Sequence, residues 1–497
     1  MPILDWIGKK QVINHDKEVP FRLLKRVESL SVGESENLII KGDNLEALKA
    51  LLPYYYNKVK CIYIDPPYNT GNENWIYNDR VNSTEIKKWL GRVVGSEGED
   101  LSRHDKWLCM MYPRLKLLRE LLKDDGGIFI SIDYNEDAHL RIVLDEVFGA
   151  KNHRNTFVVS RVKKNIQERE KVRGVNFGFN SVLFYAKSDK CLINPPKRLH
   201  KKAERWHAFD APGIRKTMEY EIFGKRPPKG RHWMYSEDRA VEMMARGELR
   251  KNPKTGSIQY LLKASDYTLL DTNWTDIQEY DSGWNFPSGE KNVELIKRII
   301  RMLDEPNNII LDSFAGSGTT AHAVLELNKE DKDGGNRKFI LVEMEDEIAR
   351  KVTAERVKRV IKGYTYKNSK GENAKIKGLG GGFQFMNLDT ELFNAHGLIN
   401  DNISYTDLAR YIFFSETKLD LKEKAMKDYF IGENNGAEYY LVFKQGKENI
   451  LNEKIVSKLK KTDKKKVVYA DNCTLDSDML NEHGITFKQI PYEVRAF

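Results

Sequence analysis

The chain has 497 residues, 40% hydrophobic and 10% aromatic, which is enough for sizeable cores and long enough for two or three domains. No apolar run approaches a membrane span, and Met1-Pro2-Ile3-Leu4-Asp5-Trp6 lacks the basic region and apolar core of a signal peptide, so a cytoplasmic protein without membrane attachment is expected. The net charge of +9 is concentrated: Lys187 to Lys263 holds 19 Lys and Arg against 9 Asp and Glu, and the rest of the chain is close to neutral.

Residues 1–36 are polar with few periodic signals. Leu38-Ile39-Ile40-Lys41 predicts a strand that turns at Gly42-Asp43, followed by a helix over 45–52 ended near Pro53. Asp43 at the strand tip either meets a ligand hydroxyl or amino group or caps that helix. Val59 to Ile64 is a compact β-branched and aromatic run, the pattern of a buried strand. It stops at Asp65-Pro66-Pro67, where two prolines fix two φ angles and supply no donors. This predicts a stiff loop at a strand's C-terminal edge, the place where open α/β sheets bind ligands. Asp65 and the backbone carbonyls make an acceptor site for an amino group, with the Tyr68 ring as a stacking plate.

The polar stretch from Gly71 to Asp100, with Gly91, Gly95 and Gly98, predicts a flap beside this loop. Its Trp75 and Tyr77 either contact a target or pack the flap down. Trp107, Leu108, Met111, Leu115, Leu118 and Leu122 recur at helical spacing and predict a core-facing helix. Asp124-Asp125-Gly126-Gly127 should end it before a strand over 128–132. Asp133-Tyr134-Asn135-Glu136 then opens a helix running to Phe148, with Asp133 either capping it or acting in chemistry. Residues 156–160 and 181–185 read as an antiparallel edge hairpin around a polar loop, 165–180.

The basic segment follows, broken by Pro195-Pro196 and Pro227-Pro228. It interleaves cations with Trp206, Phe209, Tyr220, Phe223, Trp233 and Tyr235, the footprint expected of a nucleic-acid surface. Val293 to Leu303 is an amphipathic helix. Asn308 to Asp312 is then a strand, Ser313-Phe314-Ala315-Gly316-Ser317-Gly318 a turn, and Thr319 begins a helix. The two glycines let backbone approach a ligand closely, as at a nucleotide site. Lys338 to Glu345 reads as the neighbouring strand. Glu343 stands where nucleotide-binding folds place an acid on ribose hydroxyls, and a solvent-facing charge is the other reading. Residues 367–382 are rich in Gly and Lys and read as a linker. Strands at 439–443, 466–470 and 485–487, with helices at 405–411 and 450–461, predict a small α/β module. Cys61, Cys109, Cys191 and Cys473 are scattered and offer neither a disulfide framework nor a metal cluster.

Asp65-Pro66-Pro67-Tyr68 and Phe314-Ala315-Gly316-Ser317-Gly318, in that order, resemble the catalytic and cofactor motifs of the β-class DNA amino-methyltransferases. Length and flanking text resemble the modification subunit of type III restriction-modification systems. The resemblance covers residues 35–361. It implies an S-adenosylmethionine-dependent methyltransferase fold: an α/β, Rossmann-like mixed sheet with an inserted target recognition region. Its divisions would be 1–186 and 286–366 for the two halves of the methyltransferase, 187–285 for target recognition and 383–497 for the C-terminal module. It implies methylation of N6 of an adenine flipped out of double-stranded DNA, with S-adenosylmethionine as cofactor and no metal required. Asp65, Pro66, Pro67 and Tyr68 would be catalytic, while Asp43, Lys291, Asp312, Phe314, Ala315, Gly316, Ser317, Gly318, Thr319 and Glu343 would bind the cofactor. Asn292 stands where the family pattern has proline after the lysine. A homodimer and a separate restriction subunit are the partners implied, the latter because no Gly-Lys-Ser/Thr phosphate loop occurs in this chain. Cytosine-N4 methylation, a nicotinamide-dependent oxidoreductase and a non-catalytic DNA-binding protein are the alternatives. The oxidoreductase leaves Asp65–Tyr68 and the basic segment without a role.

Overall fold

The computed structural model describes residues 3–69, 99–161, 175, 177–281, 290–303, 305, 307–331, 334–367, 373–394 and 398–490. Ten strands form its main sheet: β1 (Arg22–Arg26), β2 (Leu38–Lys41), β3 (Val59–Ile64), β4 (Leu122–Ile132), β5 (His153–Ser160), β6 (Phe179–Ala186), β7 (Asn273–Gln278), β8 (Ile309–Asp312), β9 (Lys338–Glu343) and β10 (Gln384–Glu391). They lie in the order β1-β10-β2-β9-β8-β3-β4-β6-β5-β7. From β10 to β4 all neighbours are parallel. β6 runs antiparallel to both β4 and β5, as the hairpin pattern predicts, but β7 pairs parallel to β5 on its far side and takes the edge that the hairpin was expected to hold. The mixed α/β sheet expected from the sequence is therefore present.

Strand residues alternate between two cores. Ile62, Ile64, Ile128, Ile130, Leu311 and Val342 pack on one face with α1 (Asn44–Tyr55), α2 (Glu99–Leu121) and α3 (Asp137–Leu144). Cys61, Tyr63, Phe129, Ile310, Phe339 and Leu341 pack on the other with α4 (Val293–Met302), α5 (Thr319–Glu330) and α6 (Ala354–Lys362). This period-2 division explains why the central strands are apolar throughout, since parallel strands covered on both faces have no wet side. The chain leaves β8 through α5 toward β9 on one side and leaves β3 through α2 toward β4 on the other. The C-terminal ends of β8 and β3 thus flank a topological switch point, the crevice where such sheets bind ligands.

Several sequence expectations change. Gly126 and Gly127 lie inside β4 rather than ending a helix. A Cβ on Gly126 would stand 2.8 Å from the Lys60 carbonyl, and one on Gly127 2.7 Å from the Phe184 ring, so the glycines serve close strand packing. Part of the expected linker, Asn373–Lys377, is a strand paired antiparallel with Gly363–Lys367 before it. β10 belongs to the main sheet beside β2, so the segment from 383 onward joins that sheet before reaching its own four-stranded sheet of Phe430–Asn434, Ala437–Leu441, Lys465–Ala470 and Ile485–Gln489. The helix expected at 450–461 is confined to Glu453–Val456. The flap residues Trp75 and Tyr77 lie outside the described residues.

Two compact units exist: Pro195–Asp271, and the remainder of the chain. The smaller unit is built on Phe209, Tyr220, Trp233, Met243, Ile258 and Tyr260. Three of the aromatics taken from the sequence as a nucleic-acid signal, Phe209, Tyr220 and Trp233, are therefore its core. Its basic character is displayed instead on Lys197–Lys202, a strand exposed at every residue and paired with Ser265–Leu269. No helix among the described residues is long and apolar enough to cross a membrane.

Candidate active site

The loop after β3 places Asp65 at the switch point. A two-residue hairpin, Tyr280–Asp281 against Glu290–Lys291, brings Lys291 to it from far along the chain. The Lys291 ammonium lies 3.1 Å from Asp65 Oδ1 and is ion-paired with Glu279. Tyr68 hydroxyl is 2.7 Å from the same Asp65 oxygen and 2.9 Å from Glu279 Oε1. Lys291 also donates to Tyr68 at 2.5 Å and lies 4.3 Å from the centre of the Tyr280 ring. Asn180 donates to the second Glu279 oxygen. Lys291 and Glu279 are buried, whereas Asp65 keeps 27% of its side-chain surface open, which leaves it within reach of a substrate.

Burial raises the Asp65 pKa, the Lys291 cation opposes the rise, and Glu279 adds to it. Burial would lower Lys291, but Asp65 and Glu279 outweigh it and hold the lysine well above its ordinary value, charged. Burial, then Asp65 and Glu279, keep Tyr68 a neutral phenol. The loop backbone is anchored by Trp107, whose indole donates to the Pro67 carbonyl at 2.7 Å. Lys291, expected among cofactor contacts, stands on the Asp65 side of the crevice. Glu279 and Tyr280 were not singled out in the sequence.

Across the crevice, β8 ends at buried Asp312, which accepts from Phe314 N at 3.0 Å and from the Thr320 hydroxyl at 2.5 Å. Burial pushes its pKa up to about 7. The turn is held by Ala315 N donating to the Val342 carbonyl at 3.0 Å and by Gly316 N donating to Glu343 Oε2 at 2.9 Å. Glu345 N donates to the other Glu343 oxygen at 3.0 Å, so Glu343 is tied into the turn and is no solvent-facing charge. Gly316 and Gly318 have φ of 49° and 78°. A Cβ on Gly318 would meet Thr353 at 3.2 Å, while one on Gly316 would meet the Phe314 carbonyl at an ordinary contact distance of 4.0 Å. Ser317 and Thr319 hydroxyls each lie 2.9 Å from buried Arg356, which is paired with buried Glu290 at 3.1 Å.

Asp43 performs the capping role, accepting from Leu45 N at 2.8 Å and Glu46 N at 3.2 Å. Its other oxygen is 3.0 Å from fully buried Arg114, and Asn44 beside it donates to the Ser313 carbonyl at 3.2 Å. Asp43 therefore braces the turn. Asp133 forms an Asx turn onto Asn135 N at 2.9 Å and does not cap α3.

The chemistry of this cradle fits S-adenosylmethionine. Ser313 Oγ is buried without a hydrogen-bond partner among the described residues. Two carboxylates, Asp312 and Glu343, carry pKa values raised by burial, an environment relieved by a cationic ligand. The positive φ of Gly316 and Gly318 gives the turn a backbone without side chains that a ligand can approach closely.

A model of the DNA methylase family matches residues 59–355, which spans both loops and everything between them. The chain belongs to this family. It is 30% identical over 400 residues to the type III restriction-modification enzyme StyLTI Mod subunit of Salmonella typhimurium, covering 71% of this chain and 60% of that protein. It is 29% identical over 420 residues to the EcoP15I Mod subunit of Escherichia coli, covering 69% and 64%. It is 30% identical over 357 residues to the type II methyltransferase M.KpnI of Klebsiella pneumoniae, covering 62% and 81%. The chain thus spans less than two thirds of the length of these two type III relatives.

Proposed function

We propose that this chain is a site-specific, cytoplasmic DNA methyltransferase that methylates N6 of an adenine flipped from double-stranded DNA. The carrying observation is the half-open Asp65 carboxylate at the end of β3, across the crevice from the glycine turn that ends β8. An exocyclic amine is a poor nucleophile because its lone pair is delocalised into the ring. Asp65 and the Pro66 carbonyl accept its two hydrogens and favour a pyramidal nitrogen with a free lone pair. Both Tyr68 and Lys291 engage Asp65 Oδ1, which reserves Oδ2 for the amine. Tyr68 stacks on the base, and the target must leave the duplex because its amine is unreachable inside it.

Ser313, Gly316, Asp312 and Glu343 would hold S-adenosylmethionine. When bound, it supplies a methyl group on a sulfonium, already activated for transfer. What remains for the protein is positioning and electrostatics. The exposed cationic strand Lys197–Lys202 suits phosphate contacts, which set affinity without reading sequence. The similar proteins are named as subunits of restriction-modification enzymes, which supports a separate restriction subunit as partner, and a homodimer is part of the same proposal.

Glu343→Ala is expected to weaken S-adenosylmethionine binding by about 1.5–3 kcal/mol, the worth of hydrogen bonds to a charged group. Calorimetric titration should show Kd rising about tenfold to a hundredfold. Unchanged affinity would remove Glu343 from the cofactor site. The reaction itself is tested by identifying the methylated nucleoside formed in duplex DNA.

A further inference from the structure

Beside the end of the Asp65 loop, three side chains of metal-binding type converge: His104 from α2, Glu136 just before α3, and His139 in the first turn of α3. One ligand atom of each lies within 4.8 Å of the others. His104 Nδ1 is 2.6 Å from Glu136 Oε1, and His139 Nδ1 is 2.8 Å from Glu136 Oε2, so two imidazoles clamp opposite oxygens of one carboxylate. Glu136 is fully buried, whereas the His104 and His139 side chains keep 24% and 34% of their surface, which gives an ion a route in from solvent. The fourth participant is Asn69, directly after Tyr68. It is fully buried with φ of 55°, and its Nδ2 donates to Glu136 Oε1. Its Oδ1 is buried and has no hydrogen-bond partner among the described residues.

We infer that His104, Glu136 and His139 form a binding site for a zinc-class divalent ion, with the Asn69 carboxamide facing it. Two histidines and a carboxylate are a donor set that Zn²⁺ takes at about 2.0–2.2 Å, with the remaining position left to water or to a further oxygen. The hydrogen-bonded arrangement is more contracted than a coordinated one, so side-chain rotation alone must open it by a few tenths of an ångström. Coordination removes the Nδ1 protons and replaces both hydrogen bonds. An amide flip of Asn69 would turn its orphan oxygen toward the cation, and an ion at this point would tie α2, α3 and the end of the catalytic loop together. The ion is not part of the methyl-transfer chemistry, and the site stands whether or not the chain methylates DNA.

The test is zinc content of the full-length protein after loading and dialysis against metal-free buffer, with visible absorption of the Co²⁺-loaded form as an independent readout. The site predicts one ion per chain and a cobalt ligand-field band. It also predicts affinity at least about tenfold weaker in His139→Gln, and no retained ion in the His104→Gln/His139→Gln double variant. Circular dichroism melting of each variant separates ligand loss from unfolding, and His139, the most exposed of the three, is the variant least prone to misfold. No retained ion in the wild type overturns the proposal and leaves Glu136 as a hydrogen-bonded carboxylate only. An ion equally retained by a folded double variant overturns it as well, because the metal would then sit elsewhere.

Discussion

Asp65→Ala is expected to abolish methyl transfer while leaving S-adenosylmethionine binding near the wild-type level. The substitution removes the acceptor for the amine hydrogen but none of the groups around the glycine turn. Loss of a preorganised group acting on the reacting atoms costs on the order of 10³ in rate, and 10³ corresponds to about 4 kcal/mol of barrier. Single-turnover assays at saturating DNA and cofactor would measure it. Asp65→Ala also leaves the Lys291 cation with Glu279 as its remaining buried carboxylate, so the fold survives with its local charge balanced. Transfer at an undiminished rate would remove Asp65 from the chemistry.

Lys291→Met should act on the same carboxylate through its protonation. Burial raises the Asp65 pKa and Lys291 is the largest opposing influence, so deleting the cation raises the pKa further. A protonated Asp65 is a poorer acceptor. Activity is therefore lost at low pH in both proteins, and the acid limb of kcat/KM should move to higher pH in the variant. A movement of at least about one pH unit corresponds to roughly 1.4 kcal/mol of lost stabilisation of the anion. Breaking a buried pair also destabilises a fold, by about 3–5 kcal/mol where the remaining charge is uncompensated, so thermal melting should fall in parallel. Lys291→Arg, which keeps the charge, should hold the acid limb near its wild-type position. An unshifted limb in a folded Lys291→Met protein would show that Lys291 does not tune Asp65.

Much of this arrangement was legible because it is local. A strand ending in Asp65-Pro66-Pro67 and another ending in a glycine turn both declare themselves within a dozen residues. Glu279 was not legible in that way: it lies in a polar stretch without a motif, and its burial depends on Asn180, Tyr68 and Lys291 arriving from three other elements. One signal was available, however. Acids stand at or just after the C-terminal ends of β2, β3, β4, β7, β8 and β9, namely Asp43, Asp65, Asp133, Glu279, Asp312 and Glu343. The strand-tip reading made for Asp43 applies equally to Glu279 once β7 is recognised as a strand of the main sheet.

Three of the six interleaved aromatics of the basic segment misled for a physical reason. A small unit needs its own core, and Phe209, Tyr220 and Trp233 supply it, while Phe223 stays exposed with the Lys and Arg. The entry of β10 into the main sheet was equally hidden, since pairing β10 with β2 requires residues hundreds of positions apart to meet.

The most direct test of the central claim is methyl transfer from labelled S-adenosylmethionine to mixed-sequence duplex DNA, followed by digestion to nucleosides. Label in N6-methyladenine, present with the wild type and absent with Asp65→Ala, is the predicted result. Label in N4-methylcytosine would keep the acceptor mechanism and contradict the base. A folded protein that binds the cofactor yet labels no DNA would contradict the proposed reaction.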